Sequence, residues 1–195
     1  MKIVDADFVL SAAEADQLPV DGLAHVVLVG RSNVGKSTLI NALTRARIAR
    51  TSATPGKTRL LNLYRVSLGM GRRLDFVDLP GYGYARGVEA REFDPLISGY
   101  WAARQQSPQG TLCLFSVDAR HPGLAADAAA WTWLRDQGVH AVVVATKVDK
   151  LSRAERVRHL REFDDVFHAP VVAVSAARHE GIEELWQQII RHLPQ

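Results

Sequence analysis

The stretch LVGRSNVGKSTLINAL, residues 28–43, constrains the fold of this chain more than any other. An apolar, β-branched run, HVVLVG at 25–30, leads into GRSNVGKS at 30–37. The following KSTLINALTRA then places Leu39, Ile40 and Leu43 on one helical face. Strand, turn and helix in that order are the setting in which the pattern G-x-x-x-x-G-K-[ST] cradles phosphate. Gly30 and Gly35 let the backbone curl, so that Arg31, Ser32, Asn33 and Val34 can turn their N–H groups inward. The helix start at Lys36, Ser37 and Thr38 adds its partial positive charge to that nest. Lys36 is placed to reach β- and γ-phosphates, and Ser37 to offer a hydroxyl oxygen to Mg²⁺. A chance glycine turn is the bland alternative, and the complete pattern in this context disfavours it.

Further apolar runs occur at 60–68, 73–79, 111–119, 140–146 and 170–176, with helical patterning at 36–46, 91–106, 124–137, 152–166 and 179–193. Alternation of this kind predicts an α/β fold with a mostly parallel six-stranded sheet and helices on both faces. Runs 60–68 and 73–79 are separated by too few residues for a parallel crossover, so they form one antiparallel hairpin. Residues 1–22 read as an N-terminal strap before a single domain over 23–195. The one cysteine, Cys113, lies in an apolar run and reads as a buried thiol of a reducing compartment. Without a signal-like N-terminus or a membrane-length apolar run, a soluble cytoplasmic protein is expected.

A phosphate loop does not by itself choose a nucleotide. DLPG at 78–81 ends a strand, with Asp78 spaced to bind Mg²⁺ through water and Gly81 to sense a γ-phosphate through its N–H. TKVD at 146–149 ends another strand on the carboxyl side of the sheet, where nucleotide sites form. Asp149 there can accept from guanine N1–H and the 2-amino group. Adenine offers neither donor, and an unpaired buried carboxylate can discriminate by roughly 10⁴-fold or more. Lys147 would lay its stem across the base. In SAA, Ser175, Ala176 and Ala177, the Ala176 N–H is set to meet guanine O6. Each segment is weak alone, but their order and strand-end positions are not.

At these residues the chain resembles the translation-factor-like P-loop GTPases over about 23–193, which implies a Ras-like fold. GRSNVGKST, RTSATPGKTR, DLPGYGYA, DARHP and TKVDK together resemble the EngB family (also YihA or YsxC) of bacterial ribosome-assembly GTPases. The resemblance implies a GTP/GDP-binding GTPase that assists maturation of the large ribosomal subunit. It also selects Thr58, among Thr51, Ser52, Thr54 and Thr58, as the switch residue on Mg²⁺ and the γ-phosphate. Lys36, Thr58 and Gly81 then carry the catalytic step.

Two departures bear on mechanism. Thr146 stands where many such enzymes have Asn, so contact with guanine N7 is lost and modest guanine affinity is expected. Tyr82 stands where Ras-like enzymes carry the Gln that orients water, so slow hydrolysis is expected until K⁺ or a partner completes the site. Asn33 matches a K⁺-coordinating Asn of related GTPases, and also reads as a polar residue capping its own turn.

No Asp or Glu occurs from Gly22 to Leu74, whereas Arg31, Lys36, Arg45, Arg47, Arg50, Lys57, Arg59, Arg65, Arg72 and Arg73 are basic. The segment 31–73 exceeds what one triphosphate needs and points to salt-sensitive contact with ribosomal RNA of a large-subunit precursor. Tyr82, Tyr84 and Tyr100 could stack on bases, although Tyr100, Trp101, Trp131, Trp133 and Trp186 are more simply core residues. His121 in DARHP reads as turn chemistry. No membrane or DNA partner is expected, and a monomer is. Competing readings are a P-loop small-molecule kinase, which TKVD and SAA oppose, and a non-catalytic RNA-binding scaffold stabilised by nucleotide. TRNA-modifying or iron-transport GTPase branches usually bring further domains.

Overall fold

The computed structural model describes residues 3–51, 60–82, 95–104 and 110–192. Strand β2 (Ala24–Gly30) lies at the centre of the sheet, and helix α1 (Lys36–Thr44) follows it. Next come the hairpin β3 (Leu61–Leu68) and β4 (Arg73–Asp78), then α2 (Pro95–Arg104), β5 (Thr111–Asp118) and α3 (Ala125–Asp136). Strand β6 (Ala141–Thr146), α4 (Arg153–Phe167), β7 (Val171–Ala173) and α5 (Ile182–His192) complete the core. The β3–β4 pair is antiparallel, and β4, β2, β5, β6 and β7 run parallel in that spatial order. From β2 the chain goes first to one side of the sheet and later to the other. That reversal opens a crevice at the carboxyl end of β2, where ligands of such sheets sit.

Both faces of β2 are apolar, which explains its unbroken hydrophobic run. Val26 and Leu28 pack with Leu39, Ile40 and Leu43 of α1 and Leu185, Trp186 and Ile189 of α5. Val27 and Val29 join Ile97 and Tyr100 of α2, Trp131 of α3, and Phe163 and Phe167 of α4 on the opposite face. Two tryptophans also tie elements together, since Trp186 Nε1 donates to the Leu43 carbonyl at 3.1 Å and Trp131 Nε1 to that of Phe167 at 2.9 Å. Helix α4 starts at a capping box, in which Ser152 and Glu155 satisfy each other's backbone N–H groups.

Among the described residues the sheet has seven strands rather than six, because part of the expected N-terminal strap is itself a strand. Strand β1 (Ile3–Ala12) pairs antiparallel with β3 along the sheet edge. Register shifts between Ile3 and Asp5 and between Phe8 and Leu10 break its alternation of inward and outward side chains. That hides it from a period-two reading. Strand β7 is also shorter than the run 170–176, so Ser175, Ala176 and Ala177 lie in the turn beyond it. Cys113 is fully buried, and burial pushes its thiol far up. Tyr100 is equally buried, its hydroxyl 2.8 Å from His25 Nδ1, which removes it as a base-stacking residue. Tyr84 lies outside the described residues.

Candidate nucleotide site

The loop after β2 makes its turn through two left-handed residues, Asn33 (φ 61°) and Gly35 (φ 108°). The second lies where a side chain is strained, so glycine is required there. The Gly35 carbonyl accepts from Leu39 N at 2.8 Å, which starts α1 and leaves the first helical N–H groups facing the loop. Lys36 is 8% exposed and folds back over the loop, donating to the carbonyls of Gly30 (3.0 Å) and Arg31 (3.3 Å). Burial pushes its ammonium down, against the pull of Asp78.

Ser37 Oγ donates to Asp78 Oδ2 at 2.7 Å. Asp78 is 2% exposed, and its other oxygen, Oδ1, is buried without a hydrogen-bond partner among the described residues. Burial pushes this carboxyl up, although Lys36 and the Ser37 hydroxyl pull it down. A hydroxyl oxygen beside that carboxylate fits a hard divalent cation such as Mg²⁺ carried on the phosphates of a nucleotide. Among the described residues no cluster of three or more His, Cys, Asp or Glu forms an all-protein metal cage, and a nucleotide-borne Mg²⁺ needs none.

The DLPG segment rests directly on the phosphate loop. Ser32 N donates to the Tyr82 carbonyl at 3.3 Å, and a Cβ at Gly81 would lie 2.6 Å from Ser32 N, so only glycine fits. The Tyr82 ring stacks on Phe115, and its hydroxyl donates to Asp127 Oδ1 at 2.8 Å. The side chain thus points into the core, away from any base to stack on. Arg31 shares that carboxylate through Nε at 3.0 Å, so its guanidinium is directed to α3 while its carbonyl serves Lys36. Asp127 was not visible as a site neighbour in the sequence. It lies 96 residues from Arg31, in a helix whose pattern reads as ordinary.

On the base side, Val34, Gly35, Thr38, Thr146, Lys147, Asp149, Ala176 and Ala177 line one cleft. The Thr146 hydroxyl lies 2.7 Å from the Val34 carbonyl and 3.0 Å from that of Val117. It therefore ties the base motif to the phosphate loop. Asp149 Oδ1 accepts from Ser175 Oγ at 2.7 Å, a bond that pulls the carboxyl below its usual range and keeps it an ionised acceptor. Lys147 Nζ donates to the Asn33 carbonyl at 2.6 Å and to Asp118 Oδ2 at 2.8 Å. Burial pushes Asp118 up, but bonds from Arg120 and Lys147 outweigh it and hold the carboxyl far below the ordinary range. The structure thus brings together the expected residues of 30–38, 78–81, 146–149 and 175–177; Thr58 lies outside the described residues.

Comparison with known proteins agrees with this geometry. Residues 25–147 match the family model described as a 50S ribosome-binding GTPase. The chain is 43% identical over 199 residues to the probable GTP-binding protein EngB of Pelotomaculum thermopropionicum, covering 98% of this chain and 96% of that one. It is 38% identical over 204 residues to the probable EngB of Clostridioides difficile, covering 100% and 96%. Among solved structures it resembles Era of Aquifex aeolicus bound to GDP and AlF₄⁻, with a TM-score of 0.73 at 22% identity over 89% of this chain and 58% of that one. It also resembles a probable GTP-binding protein EngB, with a TM-score of 0.60 at 21% identity over 86% and 97%. At those identities the structural likeness speaks for the fold alone, whereas the full-length sequence kinship goes further: this chain is a GTPase and belongs to the EngB family.

Proposed function

We propose that the chain is a GTP-gated assembly factor for the large ribosomal subunit, with slow intrinsic hydrolysis. The observation that carries the gating is the seating of Gly81 and Tyr82 on Ser32, which couples the DLPG segment to the phosphate loop. In this reading a γ-phosphate entering beside that contact is sensed by the Gly81 N–H and by Thr58, so that the GTP and GDP forms present different surfaces. When bound, Mg²⁺ would supply positive charge to the phosphates. In this reading Ser37 and Thr58 hold the metal directly and Asp78 through water. Lys36 leaves its loop carbonyls for the phosphates, and the N–H groups of 31–38 close the nest. Asp149 reads the guanine edge, Lys147 covers its face, and Ala176 N–H meets O6.

The orientation of Tyr82 supports slow hydrolysis, because its hydroxyl is engaged by Asp127 and orients no water. Asn33 is the candidate K⁺ ligand that supplies the missing positive charge. Residues 23–195 form the nucleotide-binding unit, with the 1–22 strap closing its sheet edge.

The placement of the arginines supports ribosomal RNA as partner. Helix α1 leaves the phosphate loop and ends at Thr44, and β4 begins at Arg73 and ends at Asp78. The exposed Arg45, Arg47 and Arg73 therefore lie at the pole opposite the phosphates, where a triphosphate does not need them. Arg65 does not belong to that surface, since it forms a two-bond pair with Asp75 at 2.9 Å and also meets Asp21. The 50S ribosome-binding description of the matching family model agrees with this reading. Multiple-turnover phosphate release with and without large subunits tests it: stimulation by the large subunit is expected, and phosphoryl transfer to a small acceptor, or no turnover at all, refutes it.

A further inference from the structure

Strands β5 and β6 end side by side, with Asp118 in register with Thr146, so the first residue of DARHP lies beside the base-side lysine. The Asp118 side chain is 6% exposed and is surrounded by donors. Oδ1 accepts from Arg120 Nε at 2.9 Å and from Arg120 N at 3.1 Å. Oδ2 accepts from Arg120 Nη2 and from Lys147 Nζ, both at 2.8 Å. The turn is fixed in its own right, because Ala119 N donates to the Thr146 carbonyl at 2.9 Å and His159 Nδ1 lies 2.8 Å from the Ala119 carbonyl. Lys147 is thus held at both ends: its backbone is left-handed (φ 61°), and its ammonium bridges Asp118 and the Asn33 carbonyl.

We infer that Asp118, braced by Arg120, is a positioning residue for guanine recognition: it fixes the Lys147 ammonium against the phosphate loop, so that the lysine stem lies ready across the base. A free lysine loses much rotamer freedom on ordering, and a carboxylate already fixed by a guanidinium fork removes that loss before nucleotide arrives. Specificity for guanine stays with Asp149, whereas the tightness of the grip on the base passes through Asp118. The inference rests on the reading that Lys147 covers the base.

A double-mutant cycle on the dissociation constant of fluorescently labelled GDP tests it. Asp118→Asn keeps the shape and removes the charge, while Lys147→Met keeps the stem and removes the ammonium, leaving Asp118 paired with Arg120. Asp118→Asn is expected to weaken GDP roughly tenfold in the native chain, the scale of a direct coupling, and not at all in the Lys147→Met background. Arg120→Gln, at a side chain 45% exposed, should give a smaller loss that likewise vanishes in Lys147→Met, and it carries the test if Asp118→Asn fails to fold. Equal factors in both backgrounds overturn the inference alone, because Asp118 then acts on the fold and not through the lysine. An unchanged affinity in Lys147→Met, which keeps the stem, likewise overturns the inference alone, whereas an unchanged affinity in Lys147→Ala, which removes the stem, overturns the base-site reading and the inference with it.

Discussion

Thr146→Val isolates the bond by which the base motif holds the phosphate loop. The two side chains have nearly the same shape, and Thr146 is 5% exposed, so the substitution leaves no cavity. What is lost is one hydroxyl, poised between the Val34 carbonyl at 2.7 Å and the Val117 carbonyl at 3.0 Å. A hydroxyl has one proton, so the shorter bond to Val34 dominates and the longer contact adds little. Losing a net hydrogen bond costs about 1 kcal/mol, and an orphaned buried carbonyl adds to it, for a total of about 1–3 kcal/mol. With a urea slope of about 2 kcal/mol per M, the unfolding midpoint should fall by about 0.5–1.5 M. Val34 belongs to the nucleotide loop, so GDP affinity should fall as well, by several-fold. Thr146→Ser keeps the hydroxyl and should recover most of both losses. Unfolding of Thr146→Val at the native midpoint, or a Ser variant as weak as the Val variant, would show that the Thr146 hydroxyl does not hold the loop.

Arg65→Met leaves the fully buried Asp75 without its two-bond partner and should destabilise the fold by about 3–5 kcal/mol, read by urea unfolding. Loss below about 1 kcal/mol shows that Asp75 finds another donor. Burial, helped by the charge of Arg104, pushes His25 down to about 3. The folded chain therefore binds fewer protons than the unfolded chain below pH about 6.5, and stability falls with acidification by up to about 1.4 kcal/mol per pH unit until pH nears the folded value. That part of the slope should be absent in His25→Asn; equal slopes contradict it. Gly81→Ala places a methyl 2.6 Å from Ser32 N and should lower GTP hydrolysis at least tenfold while GDP still binds. Native turnover in that variant argues that the DLPG segment does not act from its seat on the loop.

Most of the site could be read from the sequence because it is local. The phosphate loop, DLPG, TKVD and SAA are short runs at strand ends, and the apolar runs between them fixed which ends converge. In sequence Thr146 shows only the loss of a contact to the base, and in the structure its hydroxyl binds the Val34 carbonyl. Relations that needed long-range register could not be read in this way. Asp118 reaches Lys147 only because β5 and β6 pair in parallel, and Asp127 reaches Arg31 and Tyr82 only after α3 packs beside the loop. The stretch without acids from Gly22 to Leu74 reads as a basic block in excess of what a triphosphate needs, yet Asp21 and Asp75, just outside it in sequence, neutralise Arg65 in space. Strand β1 carries no period-two signal because its register shifts scramble the alternation of inward and outward side chains.

In the proposed function GTP gates contact with the large ribosomal subunit. Co-sedimentation of the protein with purified subunits, loaded with a non-hydrolysable GTP analogue or with GDP at low and high salt, tests it most directly. Selective binding of the analogue form to the large subunit is expected, weakened by salt as phosphate-directed contacts are. Equal binding in both nucleotide states, or none in either, contradicts it.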